Sequence, residues 1–517
     1  MQLESVLEES ARQVGDRTAL VCGGSRWSYR ELDAAADRVA GGLLEIGIRR
    51  GDRVAVCLDN SFEAVAAFFA VLKAGAVFVL LNPTTKAEKL ALLLEDSGAS
   101  ALVLSGRKLD LEAGFLAGAS KLRAIVVVGD SAGGLDREVL PWDELLARSG
   151  AARPASRAAE TDLAGLLYTS GSTGSPKGVM HSHRSLGTVV RSIARYLGTT
   201  GEDVVLSVLP LSFGYGLTQL LPTFLAGGTL VLERSFAFPQ LTLQLLAAER
   251  CTGFAMVPTI ATMLLQNDLS RFDLSALRYL TNAGAGIAPE LLLDLRRRLP
   301  WVRIFPMYGQ TECMRATFLP PEEVDRIPAS VGRGMPSQEM WVVDDAGRRL
   351  SPGKDGCVGE LVVRGEHVML GYWNLPEATE AKLGPEPRPS ARVLSTGDLF
   401  RVDSEGWYYF VARKDDIIKT RGEKVSPREV EDALHGLEGV LAVAVVGVPD
   451  KILGEAVKAY VMKKPGADLD AQAVLRHAMR HLEDFAVPRS VEFVEALPTT
   501  SNGKIDRRAL RERGGSA

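Results

Sequence analysis

Cysteine is scarce in this chain: five residues in 517 (Cys22, Cys57, Cys251, Cys313 and Cys357), scattered, with no Cys-x-x-Cys pair. That pattern excludes a disulfide framework or a cysteine-built zinc site as the basis of the fold, and it suits a reducing cytoplasm. Histidine is also sparse. His477 and His481 are four residues apart on an expected helix, but with no cysteine nearby they read as a surface pair and not as metal ligands. The first residues, MQLESVLEESARQVGDR, lack a basic segment followed by an apolar core, so no secretory signal is expected. No long apolar run is present either. Ala64–Leu81 comes nearest, but Lys73 and Gly75 interrupt it, and it reads as a buried helix entering a buried strand and not as a membrane span. Charge of one sign is not in excess: 60 basic against 64 acidic residues leave −4, without the basic field that nucleic-acid binding needs.

What is present is an ordinary globular composition, 46% hydrophobic and 24% charged, with length for roughly three folding units. Helical and strand periodicities alternate from the start. Tyr29–Ile46 and Ser61–Ala74 have helical spacing; Arg53–Leu58, Ala76–Leu80, Ala101–Leu104 and Ala124–Val128 are short apolar strands. Such alternation predicts parallel sheets covered by helices. Ala151–Thr161 is small and polar, as a surface connection is. After about residue 330 the runs become β-type (Met340–Val343, Gly359–Val363, Trp407–Val411), and Asp403–Gly406 is placed as a hairpin turn. Beyond Arg413–Asp416 a compact α+β pattern follows: helix Pro427–His435, strands Val440–Val446 and Val457–Met462, helix Ala471–Leu482, strand Ser490–Val494. The expected fold class is α/β, with a large N-terminal domain over 1–413 (its β-rich part about 330–413) and a small α+β domain over 414–517.

The strongest local signal is Leu166–Gly178, LLYTSGSTGSPKG. An apolar strand runs into a loop of glycines, hydroxyl side chains and one lysine ahead of an expected helix. Glycines let successive N–H groups turn toward one anion, hydroxyls add donors, and lysine adds mobile charge. The spacing is not that of a Walker loop, which would need glycine at 176 and Ser/Thr after the lysine; here stand Pro176 and Lys177–Gly178. A flexible Gly/Ser linker is the bland alternative, but linkers rarely follow buried strands. A polyphosphate cradle is the better reading.

This segment closely resembles the phosphate loop of the adenylate-forming superfamily, which contains AMP-forming acyl-CoA synthetases, peptide-synthetase adenylation domains and luciferases. Further matches come in the family's order: Tyr308–Glu312 (YGQTE), Gly359–Leu361 with Gly371-Tyr372, Ser395–Asp398 (STGD), Arg413–Lys419 (RKDDIIK) and Pro498–Lys504 (PTTSNGK). The resemblance implies ATP-dependent adenylation of a carboxylic acid with release of pyrophosphate, followed by displacement of AMP by a thiol.

The roles implied are specific to positions. Thr169, Ser170, Gly171, Ser172, Thr173, Gly174 and Lys177 would hold phosphates. Tyr308 and Gly309 would border adenine, Thr311 would donate to the α-phosphate, and Glu312 would hold Mg²⁺ as a hard oxygen ligand. Asp398 would accept from both ribose hydroxyls, since one carboxylate takes two donors. Arg413 would contact ribose or phosphate, although Ala412 stands where the family usually has glycine. Lys504 would bridge carboxylate and α-phosphate. In the family the C-terminal domain rotates, here about Asp415. Lys419 would then face the site, and Gly422 would admit the pantetheine arm of CoA or of a carrier protein.

The acyl pocket implied by the resemblance includes Phe213, Gly214, Asn282, Ala283, Gly284 and Met307. Adenylation domains for α-amino acids carry an aspartate where Gly214 stands, and a buried ammonium without it would cost several kcal/mol as an order of magnitude. The small residues leave room for an aryl or medium-length aliphatic acid. Cys313, beside Glu312, reads as a packed residue and not a nucleophile. The sequence therefore predicts a carboxylic acid–CoA ligase using ATP, Mg²⁺ and CoA. The alternative is a stand-alone enzyme that loads the phosphopantetheine of a carrier protein. A regulator that kept the fold but lost the chemistry is disfavoured by the presence of Glu312, Asp398, Lys419 and Lys504 together.

Overall fold

The structure is a computed structural model that describes residues 1–116, 119–131, 138–147, 158–170, 176–353, 356–384, 392–421, 423–450, 453–500 and 504–514. Residues 151–157 of the expected connection lie outside the described residues.

The first helix pair shows how the sequence builds the N-terminal layers. Ser28 accepts the amide of Glu31 while the Glu31 carboxylate accepts the amide of Ser28, a capping box that starts the helix Tyr29–Glu45. Ser61 accepts the amide of Ala64 and so caps the helix Phe62–Lys73. That second helix is apolar on nearly every face and is correspondingly buried. Its one cation, Lys73, is satisfied by Asp33 and Asp37, each 2.6 Å from Nζ. At Gly75 the backbone turns with φ +71°, and the chain enters the strand Val77–Leu80.

Among the described residues the chain forms two large sheets and two smaller ones. In one large sheet Arg53–Cys57 lies between Val77–Leu80 and Ala101–Ser105, all parallel, and Ala124–Val128 continues beyond them. In the other, Val204–Ser207, Gly253–Met256, Tyr279–Asn282 and Arg303–Tyr308 run parallel. A single apolar core, including Phe68, Phe69, Phe224, Phe254 and Phe305, joins elements of both. Helices cover these sheets, as the alternation predicts.

The β-rich section is an antiparallel sheet of Gln338–Val343, Cys357–Gly365, Val393–Val402 and Tyr408–Arg413. The turn at Asp403–Gly406 closes its last hairpin, with Gly406 N–H donating to the Asp403 carbonyl and φ +82° at Gly406. Beyond it, Val440–Asp450 and Gly454–Lys463 form a long antiparallel pair, and Ser490–Phe493 adds in parallel. Helices Pro427–His435 and Ala471–His481 bury Val430, Leu434, Val474 and Ala478 in a core separate from the N-terminal one. His477 and His481 lie with rings 4.4 Å apart, His477 bonded to the Ala433 carbonyl. Among the described residues no helix is long and apolar enough to cross a membrane.

Candidate active site

The glycine-rich segment departs from the expected order of strand, loop and helix. Leu163–Ser170 is followed by a second strand, Pro176–Ser182, which returns antiparallel to it with Thr169 opposite Lys177 and Tyr168 opposite Gly178. The helix begins only at His183, capped by Ser182. Lys177 is thus a strand residue opposite Thr169, not a residue at a helix start. Gly171, Ser172, Thr173 and Gly174, and the side chain of Ser170, lie outside the described residues. Lys177 Nζ sits 5.3 Å from the centre of the Tyr372 ring.

That ring leads to the second motif. The Tyr372 hydroxyl donates to Glu312 Oε1 at 2.7 Å. Residues 311–314 form a tight turn after the strand Arg303–Tyr308, and not the start of a helix. Met314 takes φ +59° there, and Ala316 N–H returns to the Tyr308 carbonyl. Met369 N–H donates to the Glu312 carbonyl. His181, fully buried behind the turn, has Nε2 2.7 Å from the Thr311 carbonyl. A carbonyl only accepts, so that nitrogen carries the proton. Burial pushes this imidazole down to about 4, against the Thr311 hydrogen bond and the Glu312 charge. Cys313 is wholly buried, and burial pushes its thiol up to about 12, which suits packing and not nucleophilic attack.

Asp398 and Arg413 are directly opposite in the hairpin of Val393–Val402 and Tyr408–Arg413. Asp398 is 5% exposed, with Oδ2 accepting from the Tyr308 hydroxyl at 2.5 Å and Oδ1 from Arg413 Nε at 3.2 Å. Burial raises this carboxyl above its ordinary value, opposed by Arg413 and Tyr308. Each oxygen keeps a further lone pair for another donor. Ala412 is buried opposite Leu399 within the strand, so the departure from glycine is absorbed by ordinary β pairing.

Lys504 reaches this place from the C-terminal unit. It follows Thr500, whose N–H donates to the Lys504 carbonyl, and its Nζ lies 5.3 Å from the centre of the Phe213 ring. Burial and Arg413 push its ammonium below the ordinary lysine value, opposed by Asp398 and Glu312. Gly284 has φ +86°; a Cβ there would lie 3.2 Å from Phe213 Cζ and 3.4 Å from Lys504 Cε. Arg428, on the helix Pro427–His435, donates to the carbonyls of Gly286 and Ile287 and fastens the C-terminal unit to the same wall.

The structure therefore brings together Lys177, Tyr308, Thr311, Glu312, Asp398, Arg413, Lys504, Phe213 and Gly284. Lys419 stands apart, exposed on the short strand Ile418–Thr420 beside Glu423–Val425, its N–H donating to Glu455. Asp415 is exposed in the 3₁₀ turn Lys414–Asp416. Gly422 lies outside the described residues. Gly309, expected beside adenine, is crowded by the Met314–Arg315 backbone. Of the residues expected to line the acyl pocket, Ala283 is buried and Asn282 donates to the Ala285 carbonyl. Met307 is buried, its sulfur accepting from the Tyr196 hydroxyl at 3.0 Å. The space beside Gly214 is not open: a Cβ there would meet Met314 at 3.0 Å.

Sequence reasoning passed over three residues. Tyr372 belonged to a matching motif but had no partner until Glu312 was placed beside it. His181 and Arg315 carry no pattern of their own. The one available hint for Arg315 is its position within an otherwise uncharged run, Cys313–Phe318.

Fold and motifs together define the adenylate-forming class. Residues 7–373 match the model for AMP-binding enzymes and residues 429–504 that for the AMP-binding enzyme C-terminal domain. The chain belongs to this family and is an AMP-forming acid–thiol ligase. It is 36% identical to phosphinothricin tripeptide synthetase PhsC of Streptomyces viridochromogenes over 98% of its own length, and spans 45% of that synthetase. It is 34% identical to a feruloyl-CoA synthase of an Amycolatopsis species, covering 98% of this chain and 97% of the relative. In three dimensions it superimposes on the anthranilate CoA ligase AuaEII in complex with anthranoyl-AMP with a TM-score of 0.90, 27% identity and coverage of 100% and 97%.

Proposed function

We propose that this protein ligates an aryl or medium-length aliphatic carboxylic acid to coenzyme A in the cytoplasm. It would use two arrangements of an N-terminal domain (1–413) and a C-terminal domain (414–517) hinged at Asp415. The observation that carries the reading is the meeting of Lys504 with Phe213, Gly284 and the charges of Asp398 and Glu312.

In the first step the acid carboxylate attacks the α-phosphate of ATP, forming an acyl-phosphate bond and releasing pyrophosphate. Two anions must meet, so fixed positive charge at the point of contact lowers the barrier. Lys504 supplies it, held out of bulk water where its field is less screened. Asp398 accepts the ribose hydroxyls while Tyr308 and Arg413 fix its orientation, and Thr311 donates to the α-phosphate. Thr169–Gly174 and Lys177 hold the remaining phosphates. The donor set fits Mg²⁺: Glu312 commits Oε1 to Tyr372 and offers Oε2, and a single protein carboxylate plus nucleotide phosphates is a usual magnesium environment. When bound, the ion neutralises phosphate charge.

In the second step the thiol displaces AMP. Lys504 would withdraw with its domain, and Lys419 and Gly422 would come to the face it leaves. A second reading, a carrier-protein phosphopantetheine in place of CoA, is favoured by the similarity to a peptide synthetase. An acid panel in ATP–pyrophosphate exchange, then run with CoA and with a carrier protein in parallel, tests both. Exchange is expected to be faster with an aryl or medium-length acid than with any proteinogenic α-amino acid; the reverse would overturn the pocket reading, and thioester on the carrier alone would select the second acceptor.

A further inference from the structure

Arg315 is among the largest fully buried side chains of the protein, 2% exposed. Among the described residues no carboxylate forms an ion pair with it, and its Nε is buried without a hydrogen-bond partner. Its close neighbours are the Tyr215 ring, 5.1 Å below the guanidinium, and the Tyr196 phenol, which burial raises and Arg315 holds back. Two residues along, the Thr317 hydroxyl is also buried and without a partner. A buried guanidinium that lacks a counter-charge is costly, and such charges are ordinarily paired. An unmatched guanidinium donor, with an unmatched hydroxyl two residues along the chain, calls for an anion.

Their position says which anion. Lys504 lies over Phe213, the Phe213 and Tyr215 rings are 6.2 Å apart, and Arg315 lies over Tyr215. The series runs from the proposed reacting carboxylate at Lys504 to Arg315 at the opposite end of the acyl wall. Met314, the residue before Arg315, is seated against Gly214 on a flexible side chain.

Resting on the ligase reading above, we propose that Arg315, with Thr317, binds a second carboxylate on the acid substrate, so that the enzyme activates one end of a dicarboxylic acid. A planar guanidinium matches a carboxylate with two parallel hydrogen bonds and remains charged throughout the working pH range. The same cation repels an ammonium group, which agrees with the lack of an aspartate at Gly214.

The test uses the full-length protein and aliphatic diacids of increasing length together with isophthalate, each paired with its mono-methyl ester. Two quantities are read: kcat/KM in pyrophosphate exchange, and the acid-dependent rise in Tm with a non-hydrolysable ATP analogue. In the wild type at least one diacid is expected to exceed its ester by about tenfold or more in kcat/KM and to raise Tm further than that ester does. Arg315→Met, similar in volume but uncharged, is expected to abolish that ratio, and Arg315→Lys to restore part of it. Because a ratio within each variant is read, a general loss of rate does not imitate the effect. If every ester equals or exceeds its diacid in the wild type, or if Arg315→Met keeps the diacid preference, the assignment is overturned. If no acid supports exchange but a diacid-selective Tm rise vanishes in Arg315→Met, the assignment stands and the ligase reading fails.

Discussion

Arg413 donates to Asp398 across the hairpin that carries both, while the Tyr308 hydroxyl holds the other carboxylate oxygen. The carboxylate is thus aimed by two groups that are themselves fixed by strand pairing. Asp398→Asn keeps the side chain's shape and removes a buried charge whose carboxyl is raised by desolvation. The variant is expected to melt at or above the wild-type temperature, because the charge was unfavourable to the fold. It is expected to bind ATP about tenfold or more weakly by calorimetry, as hydrogen bonds to charged groups contribute about 1.5–3 kcal/mol. Unchanged ATP affinity would remove Asp398 from the ribose site.

Tyr372 and Glu312 give a two-part prediction. Glu312→Gln keeps the side chain's size but loses the charge a metal ion requires, so the adenylation rate is expected to collapse while the melting temperature is kept. Near-normal exchange at low Mg²⁺ would count against the metal role. Tyr372→Phe removes only the hydrogen bond that orients Oε1. Its expected effect is a rise of about tenfold in the Mg²⁺ concentration for half-maximal exchange, the scale of outer-sphere partners of metal ligands. At saturating Mg²⁺ most of the rate should return.

The two lysines are expected to separate the half-reactions. Lys504→Ala should lose about 10²–10³ in adenylation, the usual cost of one donor aimed at transition-state charge. It should still convert prepared acyl-AMP and thiol to thioester. Lys419→Ala should keep pyrophosphate exchange and slow thioester formation. Equal losses of both steps in both variants would mean a single fixed site without alternation of domains.

Acid stability has a defined sign. Burial depresses His183 and His435 from the ordinary 6.5 to about 4. The unfolded chain therefore binds more protons than the folded one between those values, and stability falls as pH is lowered through that window. His183 Nδ1 accepts from Leu3 N–H, a bond that protonation breaks. Replacing both histidines with glutamine should reduce by about two the protons taken up on unfolding near pH 5. Melts between pH 4 and 7 check this, and an unaltered pH slope would refute it.

Alternation of period made the layered N-terminal fold legible, and the break near Arg413 marked the C-terminal unit, because helix and strand periodicity survive burial unchanged. The motif residues were legible by resemblance. What surrounds them was not. The run Pro176–Ser182 reads as a loop on its way to a helix, since PKGVMHS has no strict alternation; it becomes a strand because Leu163–Ser170 offers a free edge. Met314 filling the space beside Gly214 depends on a left-handed backbone in a non-glycine residue, which no local pattern announces. Arg315 is the sharpest case. Arginine is so commonly exposed that its sequence position alone argues for the surface, and only three-dimensional packing reveals a guanidinium in the interior.

The attachment of Arg428 to the carbonyls of Gly286 and Ile287 has a bearing on how new specificities arise. The contact reads backbone atoms, which every residue possesses. Side chains at Asn282 and Ala283 can therefore change with the acid being recognised without unfastening the unit that delivers Lys504. Two glycines are held to their present form: Gly286, where a Cβ would stand 3.1 Å from the guanidinium, and Gly284, whose φ of +86° and closeness to Phe213 and Lys504 exclude a side chain. Selectivity and delivery of the lysine are inherited separately, one through side chains and the other through the peptide itself.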